Sequence, residues 1–275
     1  MLHLAAARFF GSRSCAVAAP GIEAALRQAT IPPDRVAEHC HGEDAHFVLA
    51  LDPGYVTAAR DAPVVSAEPV LIFNPLQTVH RDRYVGPGCH FLAVSIARAR
   101  LSEWSADLDL PREPVLAHGG MVAARRMLGH CIAGADRFAV ECETLALLQF
   151  AAPGRRDRHL PWMPRALAFL RDAKMPTVNT LAAAAGVHPV HLGRGFRQAF
   201  GCTPSSYLQR LRLERAAARL RRTDLSLAGI ADASGFSDQS HMTRAFRAAY
   251  RTTPARYRAA FRQVRSVQDA CGGAG

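Results

Sequence analysis

Two stretches of this chain repeat each other, and few folds accept such a pair. The first copy runs Leu181-Ala-Ala-Ala-Ala-Gly186-Val187, then His188-Pro-Val-His-Leu192-Gly-Arg194-Gly-Phe196-Arg197, then Phe200-Gly-Cys-Thr203-Pro204 and Tyr207. The second runs Ile230-Ala-Asp-Ala-Ser-Gly235-Phe236, then Ser237-Asp-Gln-Ser-His-Met242-Thr-Arg244-Ala-Phe246-Arg247, then Tyr250-Arg-Thr-Thr253-Pro254 and Tyr257. The offset is 49 residues up to the turn and 50 after it, so the second copy carries one extra residue near the start of its second helix. Each copy has the physics of a helix, a sharp turn and a second helix. Leu181 or Ile230 anchors a short first helix, and Gly186 or Gly235 ends it where a left-handed backbone is needed. Val187 or Phe236 plugs the turn. Leu192/Phe196 and Met242/Phe246, four apart, form the buried face of the second helix. Arg194, Arg197, Arg244 and Arg247 then point outward, on the face that enters a major groove in helix-turn-helix proteins. A plain helical bundle needs the apolar pattern but not two matching copies with outward arginines.

A long helix, Pro204 to Arg222, joins the copies, with an apolar stripe of Leu208, Leu211 and Leu220 beside Ala216 and Ala217. A rigid rod of this kind sets two readers roughly one turn of DNA, ~34 Å, apart.

Charge follows the same division. Residues 1–154 hold 13 Arg and 16 acidic residues, a net −3, while residues 155–275 hold 20 Arg, one Lys and 7 acidic residues, a net +14. Arginine bias in the coding sequence explains the near absence of lysine but not this asymmetry. Only the second half is built to meet a polyanion.

From about Pro164 to Arg262 the chain resembles the AraC/XylS family of transcriptional regulators. The likeness rests on Gly235-Phe236-Ser237-Asp238-Gln239-Ser240-His241, Thr243-Arg244-Ala245-Phe246, Thr253-Pro254, Tyr257-Arg258 and Arg212-Leu213-Glu214-Arg215-Ala216. The resemblance implies promoter binding, with activation more usual than repression. It implies a DNA-binding set of Val190, His191, Arg194, Arg197, Gln239, Ser240, His241, Thr243, Arg244 and Arg247. By the family pattern the positions early in each second helix face base edges: Val190, Gly193 and Arg194 in the first copy, and Gln239, Ser240, His241 and Arg244 in the second. Arg197, Thr243 and Arg247 meet phosphates. Four positions depart from the pattern: His188 replaces a Ser-type cap, Gly193 offers no side chain, Met242 replaces a usual Phe, and Arg251 replaces a usual Gly.

The first half reads differently. Short β-like runs, His46–Leu51, Tyr55–Ala59, Pro69–Phe73 and His90–Ile96, are punctuated by Asp52-Pro53-Gly54, Asn74-Pro75 and Gly86-Pro87-Gly88, which suggests a small barrel or sandwich. Residues 121–150 are helical in pattern, split at Gly134, and form the expected dimer surface or a layer on the barrel of their own subunit. Ala152-Pro153-Gly154 followed by Arg155-Arg156-Asp157-Arg158 reads as a linker. His39-Cys40-His41, His46, Asn74-Pro75 and His80 are similar to a cupin-like sensor domain, with His46 where cupins carry a carboxylate. The resemblance makes His39, His41, His46 and His80 a ligand-binding set. A small organic effector in a pocket lined by relic histidines is the preferred occupant over a divalent metal, and satisfied surface histidines without a ligand stay open.

The expected fold is therefore α+β and multidomain. Residues 1–151 form a cupin-like β-barrel with a helical dimerisation segment, 152–161 a linker, 162–265 an all-α domain of two helix-turn-helix motifs, and 266–275 a disordered tail. Seven scattered cysteines with no C-x-x-C pair argue against a disulfide framework or zinc finger and for a reducing cytoplasm. Cys40 and Cys89, near histidines, leave redox sensing as a minor reading. The apolar Met1–Pro20 segment lacks the charged-then-apolar order of a cleaved signal, and no run is long enough to span a membrane. The expected partners are double-stranded promoter DNA, RNA polymerase, a small-molecule effector and a second copy of the chain. The reading from another class, a cupin-type metal-dependent enzyme fused to a helical domain, leaves the basic half without a role.

Overall fold

A computed structural model describes residues 2–3, 9, 11–29, 39–57, 65–66, 69–81, 83–85, 88–104, 108–151, 160–173, 176–200 and 202–271. The chain forms two compact units: residues 154–246, and residues 1–153 with 247–275. Most of the expected linker, and residues 86 and 87 of the Gly-Pro-Gly turn, lie outside the described residues.

The first unit is built on strands β1 (Leu2–His3), β2 (Ser12–Ala19), β3 (Ile22–Ala29), β4 (His39–Cys40), β5 (Asp44–Ala50), β6 (Tyr55–Val56), β7 (Val70–Asn74), β8 (Val79–His80), β9 (Arg83–Tyr84) and β10 (Cys89–Ala97). Helix α1 (Arg98–Trp104), β11 (Val115–Leu116), α2 (Met121–Ala133) and α3 (Arg137–Leu148) complete its first part. Six strands form one sheet in the order β11-β7-β5-β10-β3-β2, antiparallel throughout. A three-stranded sheet, β1-β4-β8, and a two-stranded one, β6-β9, accompany it, and among the described residues these sheets do not close into a barrel.

The β2–β3 hairpin occupies a segment that reads in sequence as an apolar N-terminus. Pro20-Gly21 turns it, with Gly21 at φ +71° and Ala19 paired with Ile22. Strand β3 lies between two neighbours and is buried at almost every position. A strand covered on both faces loses the period-two alternation by which half-exposed strands are recognised. Helices α2 and α3 lie against β2 and β3. Gly134 ends α2 at φ +75°, and Asp136 caps α3 through the Ala139 N–H. Phe47 and Phe73 pack at 4.8 Å in the core beneath.

The second unit holds α4 (Met163–Asp172), α5 (Val178–Ala185), α6 (Pro189–Phe200), α7 (Pro204–Arg222), α8 (Leu227–Ala233) and, up to residue 246, α9 (Gln239–Tyr250). Thr177 and Thr180 form a reciprocal capping box at the start of α5. The repeat is exact at the hydrogen-bond level in both turns. The Val187 N–H donates to the Ala182 carbonyl and the Phe236 N–H to the Ala231 carbonyl, at 3.1 and 2.9 Å. Gly186 and Gly235 sit in these turns at φ +69° and +84°. Thr203 caps α7, whose 19 residues make a rod about 28 Å long.

The last helix, α10 (Pro254–Cys271), belongs to the first unit and packs there on α2 and β2. Phe261 meets His90 edge-on at 5.1 Å. The helix continues to Cys271, past residue 266, where a disordered tail is expected. The segment Ser266-Val-Gln-Asp-Ala270 contains neither Gly nor Pro to interrupt it. Among the described residues no helix is long and apolar enough to cross a membrane.

Candidate nucleic-acid interface and histidine cluster

Each second helix of the repeat is held by one buried face. Leu192, Phe196, Met242 and Phe246 are all fully buried. The opposite stripe is open: Val190, His191, Arg194 and Arg197 on α6, and Gln239, Ser240, Arg244 and Arg247 on α9, are exposed. Gly193, His241 and Thr243 are half-exposed. Met242 therefore serves as a core residue in place of the usual Phe.

The two helices start differently. At α9, the Asp238 carboxylate accepts the His241 N–H at 2.7 Å and the Ser237 hydroxyl at 3.1 Å. The His241 N–H, then the Ser237 hydroxyl, hold its carboxyl below the ordinary aspartate range. His241 Nδ1 lies 3.0 Å from the Ser237 oxygen, so this ring is anchored at the helix start. At α6, His188 does the capping: its Nδ1 accepts the Val190 N–H at 3.3 Å. A ring nitrogen thus replaces the hydroxyl oxygen of a Ser-type cap.

Trp162 supports the first reader. It is buried, stacks with Phe196 at 6.3 Å and meets His191 edge-on at 5.9 Å. His191, a member of the DNA-binding set, is thereby tied to the core by one edge. Sequence reasoning gave Trp162 no role, because the residue lies 33 positions before Gly195, the residue it packs against.

In the first unit the structure brings His39, His41, His46 and His80 together, all buried. His39 and His80 face each other across β4 and β8, their rings 4.4 Å apart. His41 lies 4.3 Å from His46 and stacks on His80 at 5.3 Å. One ligand atom from each of His39, His41 and His80 falls within 4.8 Å of the others. His46 is turned toward Asn74, whose amide donates to its Nε2 at 3.0 Å. Burial, and then His41, His80 and His39, hold the His46 pKa well below the ordinary histidine range. Phe9 covers His41 at 4.5 Å and His46 at 5.3 Å. The nearby acid Glu43 is drawn away to Arg98, at 3.0 Å. Cys40 takes the Gly42 N–H on its sulfur at 3.3 Å.

On α2 and α3, Val122, Phe138 and Leu145 remain exposed, as does Phe150 just beyond, with Phe138 at 71%. Leu128, Leu147 and Leu148 are fully buried.

Comparison with known proteins places one part of the chain. Residues 181–260, which hold both copies of the repeat, match the family described as a helix-turn-helix domain. The Proteus vulgaris protein named probable transcription factor PqrA is 40% identical over 63 residues, 23% of this chain and 52% of that protein. The chain thus spans about half the length of the curated relative it matches. An AraC-type transcriptional regulator from Chromobacterium violaceum is 32% identical over 36% of this chain and 90% of its own, with a TM-score of 0.35. The DNA-binding domain of AdpA, solved with a target DNA, is 29% identical over 39% of this chain and 98% of its own, with a TM-score of 0.36.

Proposed function

We propose that this chain, which belongs to the AraC/XylS family of DNA-binding transcriptional regulators through its C-terminal domain, reads promoter DNA with α6 and α9 in successive major grooves. The observation that carries the reading is the matched exposure of the two helices. Each buries an apolar pair four residues apart and leaves arginines open on the other side. Arg194 and Arg244 suit bidentate pairing with guanine and Gln239 with adenine, while Val190 suits a thymine methyl. Ser240 and His241 complete the base-facing set, His191 borders it, and Arg197, Thr243 and Arg247 set register on phosphates. The relatives are regulators, and this chain is read as a regulator and not an enzyme.

The first unit acts in this proposal as an effector-sensing domain of cupin-like descent, with the histidine cluster lining its ligand site. The chain works as a homodimer in the cytoplasm and meets RNA polymerase at the promoter. The exposed Phe138 and Leu145, seven residues apart on α3, support a second copy as the partner of that face. The N-terminal domain extends over 1–151 and the DNA-binding domain over 162–265.

Selection from a random duplex library with the full-length protein at about 150 mM salt, where phosphate contacts still hold, tests the DNA reading. Enrichment of two boxes about one helical turn apart is expected. Enrichment of a single box overturns the two-reader arrangement, and no enrichment with any candidate effector present overturns sequence-specific binding.

A further inference from the structure

We infer that the turn between α9 and α10 holds a site for a small oxoanion of the phosphate class, taken up free from solution and not as part of a DNA backbone. Its binding is measured without DNA, so its failure and that of the DNA reading are distinguishable.

A cavity of about 260 Å³ is lined by Arg247, Arg251, Thr252, Thr253 and Arg256. All five belong to the first unit. Three guanidinium groups surround the space, and none of its lining residues is acidic. Among the described residues none of the three arginines pairs with an acid at salt-bridge distance. Arg256 donates to the Ala133 carbonyl at 3.4 Å, a long bond that leaves its other N–H groups for a ligand. Like charges gathered round one cavity repel unless an anion sits between them, and the planar fork of arginine matches a phosphate. The cavity adjoins the start of α10, an 18-residue helix, whose N-terminal partial charge adds to the field.

Two features of the turn point to a ligand independently of charge. Thr252 is 4% exposed, and its buried hydroxyl has no hydrogen-bond partner. Such a group costs stability until a partner arrives, and an oxoanion seated in the cavity supplies the acceptor. Arg251 holds a left-handed backbone, φ +53°, where glycine is free of strain. A side chain kept there against the backbone preference marks a functional position.

The internal repeat separates these groups from the shared helix-turn-helix frame. Arg247, Thr253 and Pro254 match Arg197, Thr203 and Pro204 of the first copy. Arg251, Thr252 and Arg256 do not, since the first copy carries Gly201, Cys202 and Ser206 at those places. A backbone contact common to both readers is written in both copies. Two added arginines and an added hydroxyl, converging on one cavity in one copy, serve a ligand of their own. The volume lies below the roughly 300–1,000 Å³ of pockets for drug-sized ligands, which suits a small ion. Three arginines favour a phosphate, with about −1.5 to −2 charges at pH 7, over a carboxylate with one.

Full-length protein in phosphate-free chloride buffer is titrated calorimetrically with sodium phosphate, and separately with sodium acetate at the same ionic strength. Saturable binding of about one phosphate per chain is expected, with acetate weaker by about tenfold or more. Thr252→Val removes the hydroxyl and keeps the side-chain shape. This variant and Arg256→Gln should each weaken phosphate binding by about fivefold or more. Thr252→Ser, which keeps the hydroxyl, and Arg112→Gln, at an exposed arginine elsewhere in the first unit, should leave it unchanged. Unchanged far-UV circular dichroism certifies that a variant is folded. Absence of saturable phosphate binding by the wild type overturns the site. In that case a loss of duplex affinity in Thr252→Val gives the cavity to the DNA backbone. Acetate binding as tightly as phosphate overturns the ligand class. Phosphate binding unchanged in both folded Thr252→Val and folded Arg256→Gln overturns the location.

Discussion

The Trp162 indole fills the space beside Gly195 so completely that a Cβ at Gly195 would overlap the ring. The first reader is therefore anchored by an aromatic from before the repeat, and a glycine within α6 is the condition for it. Gly195→Ala should destabilise the second unit by about 1–3 kcal/mol through overpacking. Two residues earlier, a Cβ at Gly193 meets nothing within 4 Å. Gly193→Ala should stabilise α6 by up to about 1 kcal/mol. Urea denaturation followed by tryptophan fluorescence measures both. Equal effects of the two substitutions would contradict the packing described.

Arg244 and Arg197 are both exposed, but the proposed function gives them different tasks. Arg244→Ala should cost about 1–3 kcal/mol on the preferred duplex and relax selection at one base pair. Arg197→Ala should weaken all duplexes alike and lower the salt slope of binding by about one unit. Binding titrations on matched and mismatched duplexes at several salt concentrations separate the two. A sequence-independent loss from Arg244→Ala removes it from the base-reading set.

Arg251 holds a left-handed backbone, φ +53°, without being glycine. The Cβ makes that conformation costly by roughly 1 kcal/mol. Arg251→Gly should raise stability by about that amount, less whatever glycine loses in the unfolded chain. A rise in the thermal midpoint is the expected result.

Asp238 links the start of α9 to pH. Its carboxyl is held below the ordinary range by the His241 N–H and the Ser237 hydroxyl. A carboxyl depressed in the folded state stabilises it above the unfolded pKa and stops doing so as pH falls through the folded value. Protection of the α9 amides against hydrogen exchange should therefore fall below about pH 4, the ordinary aspartate value. Asp238→Asn keeps an acceptor for the cap but cannot titrate. Its α9 protection should lose that acid step, and a step that persists in Asp238→Asn assigns the pH dependence elsewhere.

The two helix-turn-helix motifs were legible because every requirement is local. A glycine at φ +69° or +84°, a capping residue and an apolar pair four apart are each written within a dozen residues, and the repeat states them twice. The helix pair at Met121–Leu148 and its break at Gly134 were readable for the same reason. The β2–β3 hairpin was not, because a central strand buried on both faces shows no alternation. Its partner β10 lies some sixty residues away in the chain. The histidines were visible as residues, but not their roles. The resemblance to a cupin-like domain put His39, His41, His46 and His80 in one set. Tertiary structure decided that His39 and His80 meet across two strands, that Asn74 holds His46, and that Phe9 covers the cluster. It also decided that Trp162 supports α6. Short-range backbone rules are encoded next to the atoms they govern. Which side chains meet depends on how distant segments pack, and the identity of neither partner alone records that.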